Sequence, residues 1–281
     1  MRAWVARVDA ACSRFRDDSD LSRVNAQPGV PVTVSAELVS AVTAALAMAD
    51  ATDGLYDPTV GQAVIAAGYD RTFEAVAGSG PGPLLEGRPG GGWRDVVVNA
   101  PASTVTVPRG FRLDLGGSAK GWTVDAAIQG IAEAGVAGGA GVCVSAGGDL
   151  AVSGTAPDGG WPVTIRERVE GPAESGERSV RLGRGAMATS GVTYRRWEQG
   201  EQEAHHIIDP RTGRPGASRW ATVTVFGDSC LVVDTSATAA WLLDGDAVDW
   251  LEAAGLGGRL VDTNGGEVLA GDLGRWLLAG F

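Results

Sequence analysis

Two oxygen-bearing side chains, Asp234 and Thr238, stand four residues apart in the run VVDTSATAAWLL (232–243). On a helix, residues at this spacing share one face. A carboxylate and a hydroxyl with a backbone carbonyl nearby form a hard-oxygen site that suits Mg²⁺, which keeps waters or substrate phosphate oxygens as further ligands. In a simpler interpretation, Asp234 caps the helix and Thr238 bonds back to a carbonyl. The pair alone leaves both interpretations open.

A second block, LDLGGSAKG (113–121), leads into a predicted helix. Its two glycines allow close backbone approach to a ligand, and the unpaired amides and positive dipole end of a helix start favour an anion. Lys120 adds a cation, and Asp114 could hold a ribose hydroxyl or a ring N–H. The spacing of a Walker A loop is absent. A plain helix-capping turn would account for the same residues.

The only two histidines, His205 and His206, open the run HHIIDPRTGRP (205–215). Neighbours in a strand point to opposite faces, so at most one addresses a given site, which counts against a two-histidine metal site. The DPRTG segment predicts a turn in which Asp209 accepts bonds from turn amides or from Arg211. A structural role remains the alternative for His206.

Two common enzyme classes are disfavoured by spacing. The run CVSAG (143–147) lacks the first glycine of the G-x-S-x-G nucleophile elbow, and no acid partner is evident, which disfavours a serine hydrolase. The glycines at 135–141 do not form G-x-G-x-x-G after a strand, which disfavours a Rossmann site. Cysteines 12, 143 and 230 show no zinc or disulfide spacing, and we expect all three to be buried small hydrophobes.

The composition describes an acidic, ordinary globular chain. Its 281 residues carry a formal net charge of −11, with 44% hydrophobic and 20% charged residues. This charge argues against binding a nucleic-acid backbone, and a phosphate-rich ligand would need a metal, a helix N-terminus or a few placed cations. With no apolar run long enough for a membrane span and no secretory signal at the start, we expect the chain as given to be cytoplasmic.

The predicted helices and strands must position these residues. They are mixed without a regular βαβ repeat, which predicts an α+β fold. We expect one domain over 1–281, with a possible division into two lobes at the Gly/Pro loop 78–92. The predicted helices are 1–18, 35–53, 122–134 and 234–254. The predicted strands are Asp95–Asn99, Thr104–Val107, Val142–Ser145 (as a buried strand), 161–169, 178–182 and Ala221–Phe226.

Taken in order, the blocks resemble the ApbE family, the FAD:protein FMN transferases. The blocks, which span about 8–245, are SRFR (13–16), SDLSRVN (19–25), YDPTVG (56–61), DLGGSAKGWTVD (114–125), SAGGDL (145–150), ATSG (188–191), HHIIDPRTGRP and VVDTSATAAWLL. The resemblance implies an ApbE-like α+β fold, related to the T-fold, with FAD and a metal in a cleft between its halves.

The resemblance also implies roles for individual residues. The metal ligands would be the Asp234 carboxylate, the Thr238 hydroxyl and the Gly117 carbonyl, with Ala237 beside them. His206 would be the catalytic histidine, placed to assist the acceptor hydroxyl. FAD would be contacted by Phe15, Leu55, Tyr56, Asp57, Asp114, Lys120 and Ile208, with Asn25 as a further candidate near the flavin.

The implied activity is Mg²⁺-dependent transfer of FMN from FAD to a threonine or serine of a target flavoprotein, with release of AMP. The partner would be a protein with a flavinylation motif, such as an FMN-binding domain. An FAD pyrophosphatase and a non-catalytic FAD carrier are the alternatives. The sequence departs from the family pattern in two places: no strand with a Met-Gly-Thr motif precedes the opening helix, and Val192 stands where an acidic residue often follows Ser-Gly.

Overall fold

The computed structural model describes residues 2–77, 87–135, 140–166, 177–199 and 202–280. Its helices are α1 (Arg2–Cys12), α2 (Asp20–Asn25), α3 (Ala36–Ala51), α4 (Gly61–Ala66), α5 (Phe73–Ala77), α6 (Ala119–Glu133), α7 (Cys230–Leu243) and α8 (Ala247–Ala253), with short 3₁₀ turns at Gly92–Asp95, Asp244–Asp246 and Leu273–Arg275. Its strands are β1 (Val32–Thr33), β2 (Val97–Asn99), β3 (Thr104–Thr106), β4 (Val142–Ala146), β5 (Asp149–Ser153), β6 (Trp161–Arg166), β7 (Glu177–Leu182), β8 (Gly185–Gly191), β9 (Arg196–Gln199), β10 (Gln202–His205), β11 (Ile208–Asp209), β12 (Arg214–Pro215), β13 (Trp220–Gly227), β14 (Gly257–Asp262), β15 (Glu267–Ala270) and β16 (Leu277–Ala279).

The chain divides into two compact units. Unit 1 comprises Met1–Ala119 and Arg195–Gly216, and unit 2 comprises Lys120–Tyr194 and Ala217–Phe281. These boundaries lie away from the loop 78–92 at which we predicted a division, and residues 78–86 of that loop lie outside the described residues. Both units mix helices with antiparallel strand pairs, which agrees with the predicted α+β class.

Unit 1 consists of the helices α1–α5, a three-stranded sheet of order β1-β3-β2, and the hairpins β9–β10 and β11–β12. Helix α3 forms where predicted because Ser35 caps its start and its apolar positions recur on one buried face. Hairpin residues share a core with α4 and the segment after it. That core contains Ala63, Val64, Ala67, Tyr69, Val76, Trp197, Ala204 and Ile208.

Unit 2 is built on a six-stranded sheet of order β15-β14-β13-β8-β5-β4. Helix α7 packs against β8 and β13 in the middle of this sheet. A three-stranded sheet of order β16-β7-β6 shares a core with the larger one. The shared core contains Leu150, Val152, Ile165, Val180, Leu182, Met187, Phe226, Trp276 and Leu277. No helix among the described residues has the length and hydropathy of a membrane span.

Two predicted helices are too long. The helix predicted over 234–254 is α7 followed by α8, because the chain turns at Asp244, a non-glycine residue with φ of 52°. The Asp244 carboxylate accepts a bond of 2.7 Å from the backbone N–H of Arg219, which holds the turn. The helix predicted over 1–18 ends at Cys12, and a separate helix, α2, begins at Asp20 behind the cap residue Ser19.

The strand containing Cys143 differs from its predicted environment. It forms as β4, but it is an edge strand of the six-stranded sheet rather than a buried one, and Cys143 is exposed. The prediction that all three cysteines are buried is therefore wrong for Cys143. Cys12 and Cys230 are buried free thiols, and burial, followed by the nearby carboxylates, raises the pKa of Cys12 to about 12.

Candidate functional site

Asp234 lies inside α7 rather than at its start. Ser229 is the N-cap residue of α7, so the interpretation in which Asp234 caps its own helix is wrong. The Asp234 carboxylate is buried and points at the N-terminal end of α6. Its Oδ2 accepts a bond of 3.1 Å from the backbone N–H of Gly121, and its Oδ1 lies 3.5 Å from Nζ of Lys120.

Lys120 lies between two acidic side chains of unit 2. Its ammonium group pairs with Asp149, at the start of β5, as well as with Asp234. Both carboxylates are buried, so two potential negative charges face one positive charge. Burial is the main cause that raises the pKa of Asp234 to about 7; Asp149 raises it further and Lys120 opposes the rise. This arrangement favours the arrival of additional positive charge.

Thr238 lies one helical turn beyond Asp234 on α7, as the four-residue spacing predicts. Its hydroxyl is 3.0 Å from the hydroxyl of Ser190 on β8, and Ala237 beside it is fully buried. Carboxylate and hydroxyl oxygens are ligands that Mg²⁺ accepts, with water and phosphate oxygens completing the shell. In the described part of the chain, no three His, Cys, Asp or Glu residues group as a metal cage. The oxygen donors of Asp234 and Thr238 are of the type that Mg²⁺ accepts, and binding of the metal stays a prediction.

The glycine-rich loop before α6 belongs to unit 1. Asp114 organises it: Oδ1 accepts from Gly116 N at 2.7 Å, and Oδ2 pairs with Arg14 Nε at 3.0 Å. At its end, the buried Ser118 hydroxyl accepts a bond of 2.6 Å from the Tyr56 hydroxyl. Helix α6 starts at Ala119, three residues before the predicted position. Because Gly117 and Asp234 fall in different units, their convergence on one metal stays a prediction.

Phe15 is an exposed aromatic residue of unit 1. The residue is 43% exposed, which is high for a phenylalanine. The Arg14 guanidinium packs against two rings that also contact each other: it lies 4.1 Å from the centre of Phe15 and 4.3 Å from that of Tyr69, and the two centres are 5.8 Å apart. It also donates to the Tyr69 carbonyl at 2.6 Å. Arg14 thus connects two predicted FAD contacts, Phe15 and Asp114, through one rigid planar group.

We predicted that three further residues of unit 1 contact the flavin. The hydrogen bonds that their side chains form are within that unit. Both ends of the Asn25 amide bond to the backbone of Leu113, at 2.7 and 2.8 Å. Asp57 is buried and accepts from the backbone and hydroxyl of Thr59 and from the amide of Gly91. Leu55 is half-buried next to Tyr56. The polar groups of Asn25 and Asp57 hold their segments in place, and direct flavin contact by all three residues stays a prediction.

The two adjacent histidines have different surroundings in unit 1. His205, the last residue of β10, is buried and its Nε2 donates to the Gly216 carbonyl at 3.0 Å. His206, just after the strand, is half-buried. Asp209 accepts from the amide and the guanidinium of Arg211, as the turn chemistry predicts, and Ile208 is buried in the core of the unit. A catalytic role for His206 stays a prediction.

Sequence reasoning assigned no role to three residues that contact the predicted site residues: Arg14, Asp149 and Ser190. Each lies in a block that was recognised, namely SRFR, SAGGDL and ATSG. What was missing was the long-range pairing, with Asp114, Lys120 and Thr238 respectively. The first two pairings could have been predicted from charge. In each of them, a charged residue of one matched block is opposite in sign to a charged residue of another block.

Comparison with known proteins gives one consistent answer. A model of the ApbE family matches residues 1–258. The FAD:protein FMN transferase of Vibrio cholerae is 30% identical over 241 residues, which cover 85% of this chain and 71% of that protein. The protein of the same name from Treponema pallidum is 30% identical over 255 residues, covering 85% and 69%.

Solved structures agree with the sequence comparisons. The ApbE protein of Thermotoga maritima superimposes with a TM-score of 0.77 at 27% identity, covering 96% of this chain and 88% of that one. The flavin transferase ApbE of Vibrio cholerae gives a TM-score of 0.74 at 25% identity, covering 98% and 88%. On the agreement of family model, curated relatives and fold, this chain belongs to the ApbE family and is a transferase enzyme.

Proposed function

We propose that this chain transfers the FMN half of FAD to a threonine or serine hydroxyl of an acceptor protein, with Mg²⁺, and releases AMP. The names of the relatives support flavin transfer. The observation that carries the metal-dependent form of the proposal is the buried Asp234 carboxylate, held by the Gly121 amide beside Lys120. Because Lys120 is shared with the buried carboxylate of Asp149, one positive charge faces two carboxylates, and a divalent cation would compensate the remaining negative charge.

Different residues of this chain would bind different parts of FAD and the metal. Phe15 offers a ring face for a flat aromatic system, and Asp114 offers a carboxylate oxygen. The charge of Lys120 and the positive dipole end of α6 would favour the negative diphosphate. Mg²⁺ held by Asp234, Thr238 and the Gly117 carbonyl would neutralise charge on the diphosphate and on the leaving AMP.

The proposed reaction is a phosphoryl transfer with one proton to move. The acceptor oxygen forms a bond to the FMN-side phosphorus while the bond from that phosphorus to the bridging oxygen breaks. The bridging oxygen leaves with AMP. His206 accepts the hydroxyl proton, a role that suits imidazole because its ordinary pKa lies near neutrality. The acceptor keeps a phosphoester-linked flavin.

Two other functions make different products from the same mixture. Water in place of the hydroxyl would convert FAD to FMN and AMP, which is the pyrophosphatase alternative. A carrier would retain FAD intact and would need no metal. Asp234 and Thr238, placed on one face of a helix with Lys120 beside Asp234, favour the enzyme over the carrier because FAD retention alone requires no hard-oxygen site.

The test incubates the protein with FAD, MgCl₂ and a panel of FMN-binding domains that carry a threonine or serine in a flavinylation motif. Chromatography measures AMP and free FMN, and flavin fluorescence on a denaturing gel measures labelled acceptor. The proposal predicts AMP and labelled acceptor in equal amounts, both lost on adding EDTA. AMP with equal free FMN and no label would indicate the pyrophosphatase. Intact FAD without AMP would contradict both enzymes.

A further inference from the structure

Helices α6 and α7 of unit 2 exchange hydrogen bonds at their N-terminal ends. The first amides of a helix have no carbonyl partner within it. At the start of α7, the amides of Cys230 and Leu231 donate to the Asp125 carboxylate of α6 at 2.8 and 2.9 Å, and the amide of Val232 donates to Ser229. At the start of α6, the amide of Gly121 donates to Asp234 of α7.

The exchange uses matched positions on the two helices. Gly121 and Asp125 are four residues apart on α6, and Cys230 and Asp234 are four apart on α7, so each pair lies on one helical face. Each helix therefore supplies one amide and one carboxylate to the other, over one turn. A rotation of either helix, or a slide of one turn, would separate both pairs.

The backbones of the two helices also touch at this point. A Cβ placed on Gly121 would lie 2.6 Å from the Cys230 carbonyl oxygen and 2.7 Å from the Leu231 Cα. No side chain fits there, so α6 approaches α7 as closely as backbone atoms allow. Asp125 reaches three donors from this distance, because Ser229 Oγ also donates to it at 2.7 Å.

We propose that Asp125 is a positioning residue: by capping α7 from α6, it sets the register that places Asp234 against Gly121 and Lys120. Ser229 already caps α7 as an N-cap residue does, by accepting from Val232 N. Asp125 in addition fixes the position of α7 along α6, because it lies on α6 and accepts bonds from the first amides of α7. This inference rests on the proposed function for its consequence, which is the affinity of the Asp234 site for a divalent cation.

Asp125→Asn and Val180→Ala form the matched pair of variants. Asparagine keeps the size of the side chain but removes one of its two acceptors and presents N–H to the donors of α7. Val180 is buried in the core shared by the two sheets of unit 2, and that cluster contains no residue of α6 or α7. The solution conditions are chosen so that both variants have the same melting temperature, because the comparison must not reflect a difference in overall stability.

Amide exchange at Gly121, measured by NMR, is the first readout because that N–H donates directly to Asp234. We expect its exchange rate to rise at least about tenfold in Asp125→Asn, since the opening of α7 releases it. In Val180→Ala the rate should stay close to that of the unchanged protein. An unchanged rate in Asp125→Asn, or the same rise in both variants, would overturn the positioning role.

Binding of Mn²⁺, followed by electron paramagnetic resonance of the free ion, is the second readout. Loss of a group that holds a metal ligand typically weakens metal affinity about 10–100-fold. We expect a weakening in that range for Asp125→Asn and none for Val180→Ala. Equal affinity in the unchanged protein and Asp125→Asn would contradict the inference. No Mn²⁺ binding by the unchanged protein would contradict the proposed metal site instead, and the exchange of Gly121 would still decide the positioning.

Discussion

The amide nitrogen of Gly121 lies 3.1 Å from Oδ2 of Asp234, so the backbone of one helix orients the carboxylate carried by another. A backbone donor has no rotamer freedom, and it fixes the carboxylate more firmly than a side-chain partner would. The second oxygen of Asp234 remains directed toward Lys120. This relationship turns an acidic residue within a helix into an ordered candidate ligand.

Gly121→Ala should destabilise the protein and Gly130→Ala should not. A Cβ at 121 would meet backbone atoms of α7 at 2.6–2.8 Å, which cannot move aside without separating the helices, at a cost of about 1–3 kcal/mol. Gly130 is on the same helix with nothing within 4 Å of an added Cβ, so alanine there should stabilise by about 0.5–1 kcal/mol. Urea unfolding measures both, and similar effects at the two positions would contradict the close approach.

Asp234→Asn should be at least as stable as the unchanged protein at pH 8 without divalent cations. Burial raises the pKa of Asp234 to about 7, so carrying its charge at pH 8 costs folding free energy that asparagine does not incur. Mg²⁺ should then raise the melting temperature of the unchanged protein only. A melting temperature of Asp234→Asn that rises equally with Mg²⁺ would place the metal elsewhere.

Several elements of the fold could be predicted from local sequence. The stripe that includes Leu38, Val42 and Ala45 predicted α3, and the run 221–226 predicted the central strand β13. The spacing of Asp234 and Thr238 was sufficient to place both on one helical face. In each case the information lies within one element, where periodicity alone determines which side is buried.

The rest depends on contacts between distant segments. The end of α7 is set by Asp244, whose turn is held by Arg219, 25 residues upstream. The exposure of Cys143 follows from the edge position of β4, which only the sheet order determines. Asp149 meets Lys120 across 29 residues. Periodicity carries no information about such pairs, because they are fixed by tertiary packing.

Arg14→Lys should weaken FAD binding, whereas Arg16→Lys should not. The Arg14 guanidinium packs against the rings of Phe15 and Tyr69 while pairing with Asp114, and the ammonium of lysine reproduces neither the plane nor the fork. Loss of this support at two predicted FAD contacts should raise the dissociation constant by about tenfold, or 1.4 kcal/mol. Arg16, which pairs with exposed aspartates, is the control. Fluorescence titration in EDTA measures both, and equal affinities would contradict the prediction.

His205→Gln should make the free energy of unfolding less dependent on pH between 5 and 7. Burial is the main cause that lowers the pKa of His205 below its ordinary value of 6.5. The unfolded chain then binds the proton more readily, so stability is full above pH 6.5 and falls as the pH decreases through the folded-state value. Glutamine can still donate to the Gly216 carbonyl but does not titrate. Unfolding free energies between pH 5 and 7 with the same slope in both proteins would contradict this expectation.

The central claim is that Asp234 supports metal-dependent transfer of FMN to a protein hydroxyl. The direct measurement is the intact mass of an acceptor domain after incubation with FAD and Mg²⁺, using the unchanged protein, Asp234→Asn, and the control Asp249→Asn at an exposed position of α8. We predict a gain of one FMN less water with the unchanged protein and the control, and no gain with Asp234→Asn. Equal gain with Asp234→Asn, or an equal gain in EDTA, would contradict the account.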